Sequence, residues 1–117
     1  MIATLSLLVT AFCTCVLCTG VWFGHPTSTG TRPVAGRTMA CDPKVFPMGT
    51  EILIEGVGVR TCETVGGAIK GRHVDLYVRT HHEGIRFGVQ EARGRVVWVP
   101  TDWTVIGGRV VRVRRLR

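Results

Sequence analysis

Charge is missing from the first 24 residues, and so are the signals that would give such a stretch a ready meaning. No lysine or arginine precedes the apolar run from Met1 to Leu17, and no clean small-x-small cleavage site follows it; Cys18-Thr19-Gly20 comes nearest. The residues before Cys13, Cys15 and Cys18 do not suit a lipoprotein signal. Thr4, Ser6, Thr10, Thr14 and Thr19 interrupt the roughly 20 apolar residues that a membrane-spanning helix needs. Those same threonines, together with Leu7, Leu8, Val9 and Phe12, suit a β-strand. The expectation is therefore a first strand inside the domain, roughly Ala3 to Phe12, in preference to a leader or a membrane anchor.

The chain also lacks internal repeats, low-complexity linkers and any nucleic-acid-binding motif. Its net charge of +7 gathers at one end, where Arg109, Arg112, Arg114, Arg115 and Arg117 crowd the last nine residues. No aromatic residue is interleaved with them, which argues against nucleic acid. The tail reads either as a solvated basic tail or a strand with Val110, Val111 and Val113 partly inward, or as an attraction site for a polyanion, for which anionic wall polymers, nucleic acid and anionic lipid all qualify.

Recognisable metal patterns are scarce. Cys13, Cys15 and Cys18 form C-x-C-x-x-C, with Cys41 and Cys62 far along the chain. Zinc held by the three with a fourth thiol from elsewhere, disulfides such as Cys41–Cys62, and buried reduced cysteines all remain open. His81 and His82 are adjacent and cannot share a face of a helix or strand, so no metal site is assigned. No histidine or asparagine stands in a thiol-protease setting around a cysteine.

What the chain does have is valine, isoleucine and threonine in short runs, punctuated by 15 glycines across 117 residues. That pattern belongs to one all-β domain, a sandwich or small barrel. Strands are expected at 5–12, 51–55, 58–63, 73–78, 95–100 and 104–114, with turns at Gly49 and Gly56. The span Thr80–Val89 reads as a short helix with His81, Ile85 and Gly88 on one face. Trp98 is expected in the core, while Trp22 is the better candidate for stacking on a sugar ring. His25 sits in a Gly-His-Pro loop.

The most pointed feature is the stretch from Gly66 to Tyr77, in which a glycine-rich turn delivers Asp75 into an apolar strand between Val74 and Leu76. A charge there is costly unless it faces a cleft or has partners. A carboxyl in a partly dry cleft has a raised pKa and serves as a proton donor near neutral pH. A structural alternative pairs Asp75 with Arg72 or Arg79.

Three segments taken together carry a resemblance: Thr29 to Thr38, Cys41 to Thr50, and Glu63 to Tyr77 with its Gly66-Gly67-Ala68-Ile69-Lys70-Gly71 core. They resemble the 3D domain, named for three aspartates, of bacterial and phage cell-wall enzymes and of the catalytic domain of MltA-type lytic transglycosylases. Val9 to Cys15 is similar to the opening strand of cysteine-bearing members, and the resemblance spans residues 5–99. It implies a six-stranded double-psi β-barrel with one short helix, a core of about residues 5–100, and a basic C-terminal extension over 103–117.

The resemblance further implies cleavage of peptidoglycan glycan strands at the MurNAc–GlcNAc bond, giving 1,6-anhydro products and needing no cofactor. Asp75 matches the third family aspartate, the acid/base, and Asp42 the first. The chain departs at the second, where Thr64 stands three residues before Gly67 with Glu63 beside it. Thr64 can offer Asp75 a hydroxyl but no like charge. Thr31, Thr64, Gly66, Gly67 and Lys70 are the implied substrate-binding positions. The implied setting is the cell wall, reached outside the cytoplasm or by a phage-encoded protein. A non-catalytic wall-binding barrel is the competing reading, and a basic nucleic-acid- or membrane-associated protein the third.

Overall fold

The computed structural model describes residues 3–13 and 27–113. Six strands close into a barrel: β1 (Leu5–Phe12), β2 (Thr38–Ala40), β3 (Glu51–Ile54), β4 (Gly58–Thr64), β5 (His73–Tyr77) and β6 (Gln90–Trp98). Their order around the barrel is β1-β5-β2-β4-β3-β6. The β1/β5 and β2/β4 pairs are parallel and the remaining neighbours antiparallel. This is the double-psi barrel implied by the resemblance. A separate hairpin follows, β7 (Trp103–Ile106) and β8 (Arg109–Arg112).

Alternation writes the inside of the barrel. Leu5, Leu7 and Val9 of β1 are buried, as are Ile52 and Ile54 of β3 and Val74 and Leu76 of β5. Met39, Phe46 and the Cys41–Cys62 disulfide complete the same core. Each buried aliphatic side chain contributes about 1.5–3 kcal/mol. That suffices to fix register, because a slip of one residue would turn every inward side chain outward. Gly94 of β6 is also buried; a Cβ there would lie 2.5 Å from Leu7 Cδ1, so only glycine lets β1 and β3 approach at this point.

Four expectations change. The sixth barrel strand is Thr38–Ala40, too short to show a period, and the described part of the expected 104–114 strand, residues 104–113, lies outside the barrel. There Gly107 and Gly108 both have positive φ and make the two-residue turn of the β7–β8 hairpin. Strand β6 begins at Gln90, five residues early, because charged Glu91, Arg93 and Arg95 on its outward face hide the alternation. Trp98 is 51% exposed instead of buried: β6 bulges at Val97 where it pairs with Glu51 and Ile52 of β3, which shifts the register and turns Trp98 outward beside Gly49. Gly49 and Gly56 occupy their expected turns.

Helix α1 (His81–Phe87) is capped by the Thr80 hydroxyl, which accepts from the Glu83 amide. Its half-buried face is His81, Gly84 and Phe87, while Ile85 is exposed. Gly84 lets the helix lie close to Ala11 of β1, which explains why the apolar Ile85 does not define the contact face. Among the described residues no helix is long and apolar enough to cross a membrane.

The disulfide leaves neither Cys41 nor Cys62 to serve as a fourth zinc ligand. Cys13 is fully buried. Cys15, Cys18, Trp22, His25, Arg114, Arg115 and Arg117 lie outside the described residues, so the expectations attached to them do too.

The disulfide ties β4 to the chain after β2 across a separation of 21 residues. Replacing both cysteines by alanine is expected to lower unfolding stability by about 3 kcal/mol through the freed chain entropy. Urea midpoints of the oxidised protein and the double variant measure it.

Candidate functional site

Because Val74 and Leu76 point into the barrel, His73, Asp75 and Tyr77 share its outer face, each half-buried. Parallel pairing with β1 sets Leu8, Thr10 and Phe12 beside them, opposite His73, Asp75 and Tyr77 respectively. Phe12 and Tyr77 meet edge to face at 5.7 Å and wall one end of this surface. On the other flank Ala40 of β2 lies opposite both Asp75 and Thr64. Thr10, Asp75, Ala40 and Thr64 thus form one row across four neighbouring strands.

The row holds a single carboxylate. The Thr10 hydroxyl donates to Asp75 Oδ1 at 2.7 Å, and Thr10 Oγ1 also lies 2.8 Å from His73 Nε2. Burial pushes the Asp75 carboxyl above its ordinary value, opposed by the Thr10 hydrogen bond and by the nearby His73. Sequence reading had no signal for Thr10, whose role exists only through the parallel β1–β5 pairing. Asp75 is thus partnered by a threonine, in place of the Arg72 or Arg79 of the structural alternative.

Thr64 does not turn its hydroxyl to Asp75. It lies 3.3 Å from both the amide and the hydroxyl of Ser28, an expectation corrected by the path of the 27–31 loop over β4. Glu63 is the extra residue where the β2–β4 register shifts between the Met39–Cys62 and Ala40–Thr64 pairs, and it is 6% exposed. Its carboxylate takes Thr31 Oγ1 at 3.1 Å, Thr38 Oγ1 at 3.2 Å and Arg37 Nη2 at 3.1 Å, with Arg37 Nε on the other oxygen. Thr31 also meets Thr27 and Thr29, so its hydroxyl belongs to the network that seats the 27–38 segment.

Asp42 is nearly buried, and both its oxygens accept backbone amides: Lys44 at 3.0 Å and Gly71 at 2.8 Å. The Gly71 amide first, then that of Lys44, holds its carboxyl below the ordinary range. Asp42 therefore fastens the turn that feeds β5. Within that turn Gly66 leaves room for Ile69, whose Cγ1 would lie 2.9 Å from a Cβ, and Gly67 borders open space. Lys70 is exposed and close enough to Asp42 to stabilise its charge. Asp75, with Gly67 and Lys70 at the turn before it, is the chemically available group; Asp42, Thr31 and Glu63 are committed to the scaffold.

The barrel's outer surface also carries a concavity of about 580 Å³ near the start of β1, lined by Thr4, Glu55, Val57, Arg93 and Arg95 among others. Asp75 is not part of it. Among the described residues no cluster of histidine, cysteine and acidic side chains could hold a metal ion.

The family model of the 3D domain matches residues 37–100. The Cell wall-binding protein YocH of Bacillus subtilis (strain 168) is 34% identical over 61 residues, 52% of this chain and 21% of that protein. The Putative cell wall shaping protein YabE of the same organism is 31% identical over 78 residues, 63% of this chain and 19% of that protein. Two crystal structures of MltA from Escherichia coli, one of them described as a lytic transglycosylase fold, are 26% and 25% identical. Each has a TM-score of 0.55 and covers 63% of this chain and 27% of that one. The chain spans about a fifth of the curated relatives and about a quarter of MltA.

Two consequences follow for the acids. Replacing Asp42 by alanine is expected to speed hydrogen exchange of the Gly71 amide. In the wild type the stabilisation from Asp42 is present above the ordinary carboxylate pKa and is lost as pH falls through the lowered folded value. Asp75 has the opposite sign: protonated in both states at low pH, it costs the fold stability as pH rises through the ordinary and then the raised value. Asp75→Asn should thus melt at a higher temperature than wild type at about pH 7, and the gap should close at about pH 3, below the usual aspartate value.

Proposed function

The chain belongs to the 3D domain family, and we propose that its barrel cleaves the glycan strand of peptidoglycan as a lytic transglycosylase, with Asp75 as the catalytic residue. The observation that carries this reading is Asp75 itself: the one carboxyl of an outward-facing row, pushed by burial toward the protonated form. Support comes from likeness to MltA and to two proteins named for the cell wall.

Asp75 first gives its proton to the glycosidic oxygen between N-acetylmuramic acid and N-acetylglucosamine. As a carboxylate it then takes the proton of the muramic acid C6 hydroxyl, which closes on C1. The product is a 1,6-anhydro sugar, and Asp75 ends as it began, protonated. Ordinary glycosidases place two carboxyl groups about the bond. Internal attack removes the need for a nucleophile or a water activator, so one residue serves as acid and then base. No cofactor enters these steps. Gly67 lets the strand approach the turn, and Lys70 meets a lactyl or peptide carboxylate of the wall. The arginines of the C-terminal extension favour anionic wall polymers, and the site of action is the cell wall.

A second reading, a non-catalytic wall-binding module, is favoured by one feature: Thr64 engages Ser28, so no second side chain of the row tunes Asp75 from the β4 side. Mass spectrometry of the soluble products from purified peptidoglycan separates the two. Anhydromuropeptides from wild type, reduced by about 10²–10⁴-fold in Asp75→Asn, are expected. No products from either protein, with wall binding retained by both, would establish the binding module.

A further inference from the structure

His73 is drawn into the site by an arrangement that the acid-then-base scheme does not use. It lies two residues before Asp75 on the same outward face of β5. The Thr10 hydroxyl from β1 stands between them, 2.7 Å from Asp75 Oδ1 and 2.8 Å from His73 Nε2. A hydroxyl has one hydrogen to give and lone pairs to receive with, so its orientation is decided by what its two neighbours hold.

Two complete arrangements share one extra proton between Asp75 and His73; without it, an Nε2–H imidazole donates to Thr10 and Thr10 to the carboxylate. With the proton on Asp75, the carboxyl O–H donates to Thr10, and Thr10 donates to the bare Nε2 of a neutral His73. With the proton at the other end, Nε2–H of an imidazolium donates to Thr10, and Thr10 donates to the Asp75 carboxylate. Both contain the same number of protons. Passing from one to the other moves one proton from Asp75 to Thr10 while Thr10 releases its own to Nε2; nothing else is consumed. Such chains are cooperative where water is partly excluded.

We infer that His73 is a positioning residue that sets the protonation of Asp75 through the Thr10 hydroxyl, so that Asp75, Thr10 and His73 hold a shared proton as one unit. The catalytic consequence rests on the acid–base reading above; the proton chain itself does not. A His73 with a bare Nε2 supports the acid form of Asp75 that begins the reaction, and one carrying Nε2–H supports the carboxylate.

The surroundings leave this pairing dominant. From β1 the outward neighbours are Ser6, Leu8, Thr10 and Phe12, none of them charged, and from β2 it is Ala40. Beyond β1, β6 sets Glu91 opposite Leu8 and Arg93 opposite Ser6. Tyr77 shares the β5 face, Lys70 and Arg72 precede the strand, and Arg79 follows it. Helix α1, packed on β1, contributes His81, His82, Glu83 and Arg86. Among the described residues Thr10 bridges the two groups directly.

The test follows the Asp75 carboxyl carbon by NMR through a pH titration, without substrate. Loss of the nearby imidazole in His73→Gln is expected to raise its midpoint. The Thr10→Val change, nearly isosteric and half-buried, should raise it as well and should remove most of the further effect of His73→Gln. Thr10→Ser, which keeps the hydroxyl, should restore wild-type behaviour. Non-additivity of this kind is the signature of a group acting through another.

A midpoint unmoved by His73→Gln, or moved equally with and without the Thr10 hydroxyl, overturns the inference. The pH profile of anhydromuropeptide release is the second readout: its alkaline limb should move upward in His73→Gln. Coupling by NMR with no product from wild type would uphold the proton chain and remove the transglycosylase reading. Product without coupling would do the reverse.

Discussion

The site depends on two aliphatic side chains that cannot leave the core. Val74 and Leu76 hold β5 in the barrel, and a strand has only two faces, so Asp75 between them must emerge on the outside. Parallel pairing then decides its company. Had β1 run antiparallel to β5, or one residue out of step, the Thr10 hydroxyl would not lie against the carboxyl. Burial of apolar surface, a non-directional force, is converted by register into a directed hydrogen bond.

Acidic groups that look alike in composition divide by environment. Asp42 is saturated by two backbone amides and stays ionised, which suits a fastening. Glu63 is enclosed by Arg37, Thr31 and Thr38 and holds the segment before β2 against β4. Asp75 receives one hydroxyl and is partly desolvated, so its proton is available. A carboxyl group's availability for proton transfer here is inverse to how well the scaffold satisfies it.

Much of the barrel was legible because period-two alternation survives in β1, β3, β4 and β5. It failed where the signal is short or masked. Thr38–Ala40 has three residues, all buried, and shows no alternation at all. In β6 the outward arginines and Gly94 disguise a strand whose inward positions are small or branched. Trp98 faces outward because β6 bulges at Val97 where it pairs with β3, a break in alternation that is invisible along the chain. For the helix, Gly84 sets the contact by absence of a side chain, and a hydrophobic pattern cannot register that.

By itself the sequence determined that Asp75 leaves the core at the end of a glycine-rich turn, which follows from local periodicity. The register shift that sets Thr64, and not Glu63, opposite Ala40 is not legible there. Only the tertiary structure decided that Thr10, 65 residues away, donates to Asp75, that His73 shares that hydroxyl, and that Thr64 turns to Ser28 instead. Such pairings depend on strand order and register around a closed barrel. Those are set by the joint packing of all six strands, a property that no single segment carries.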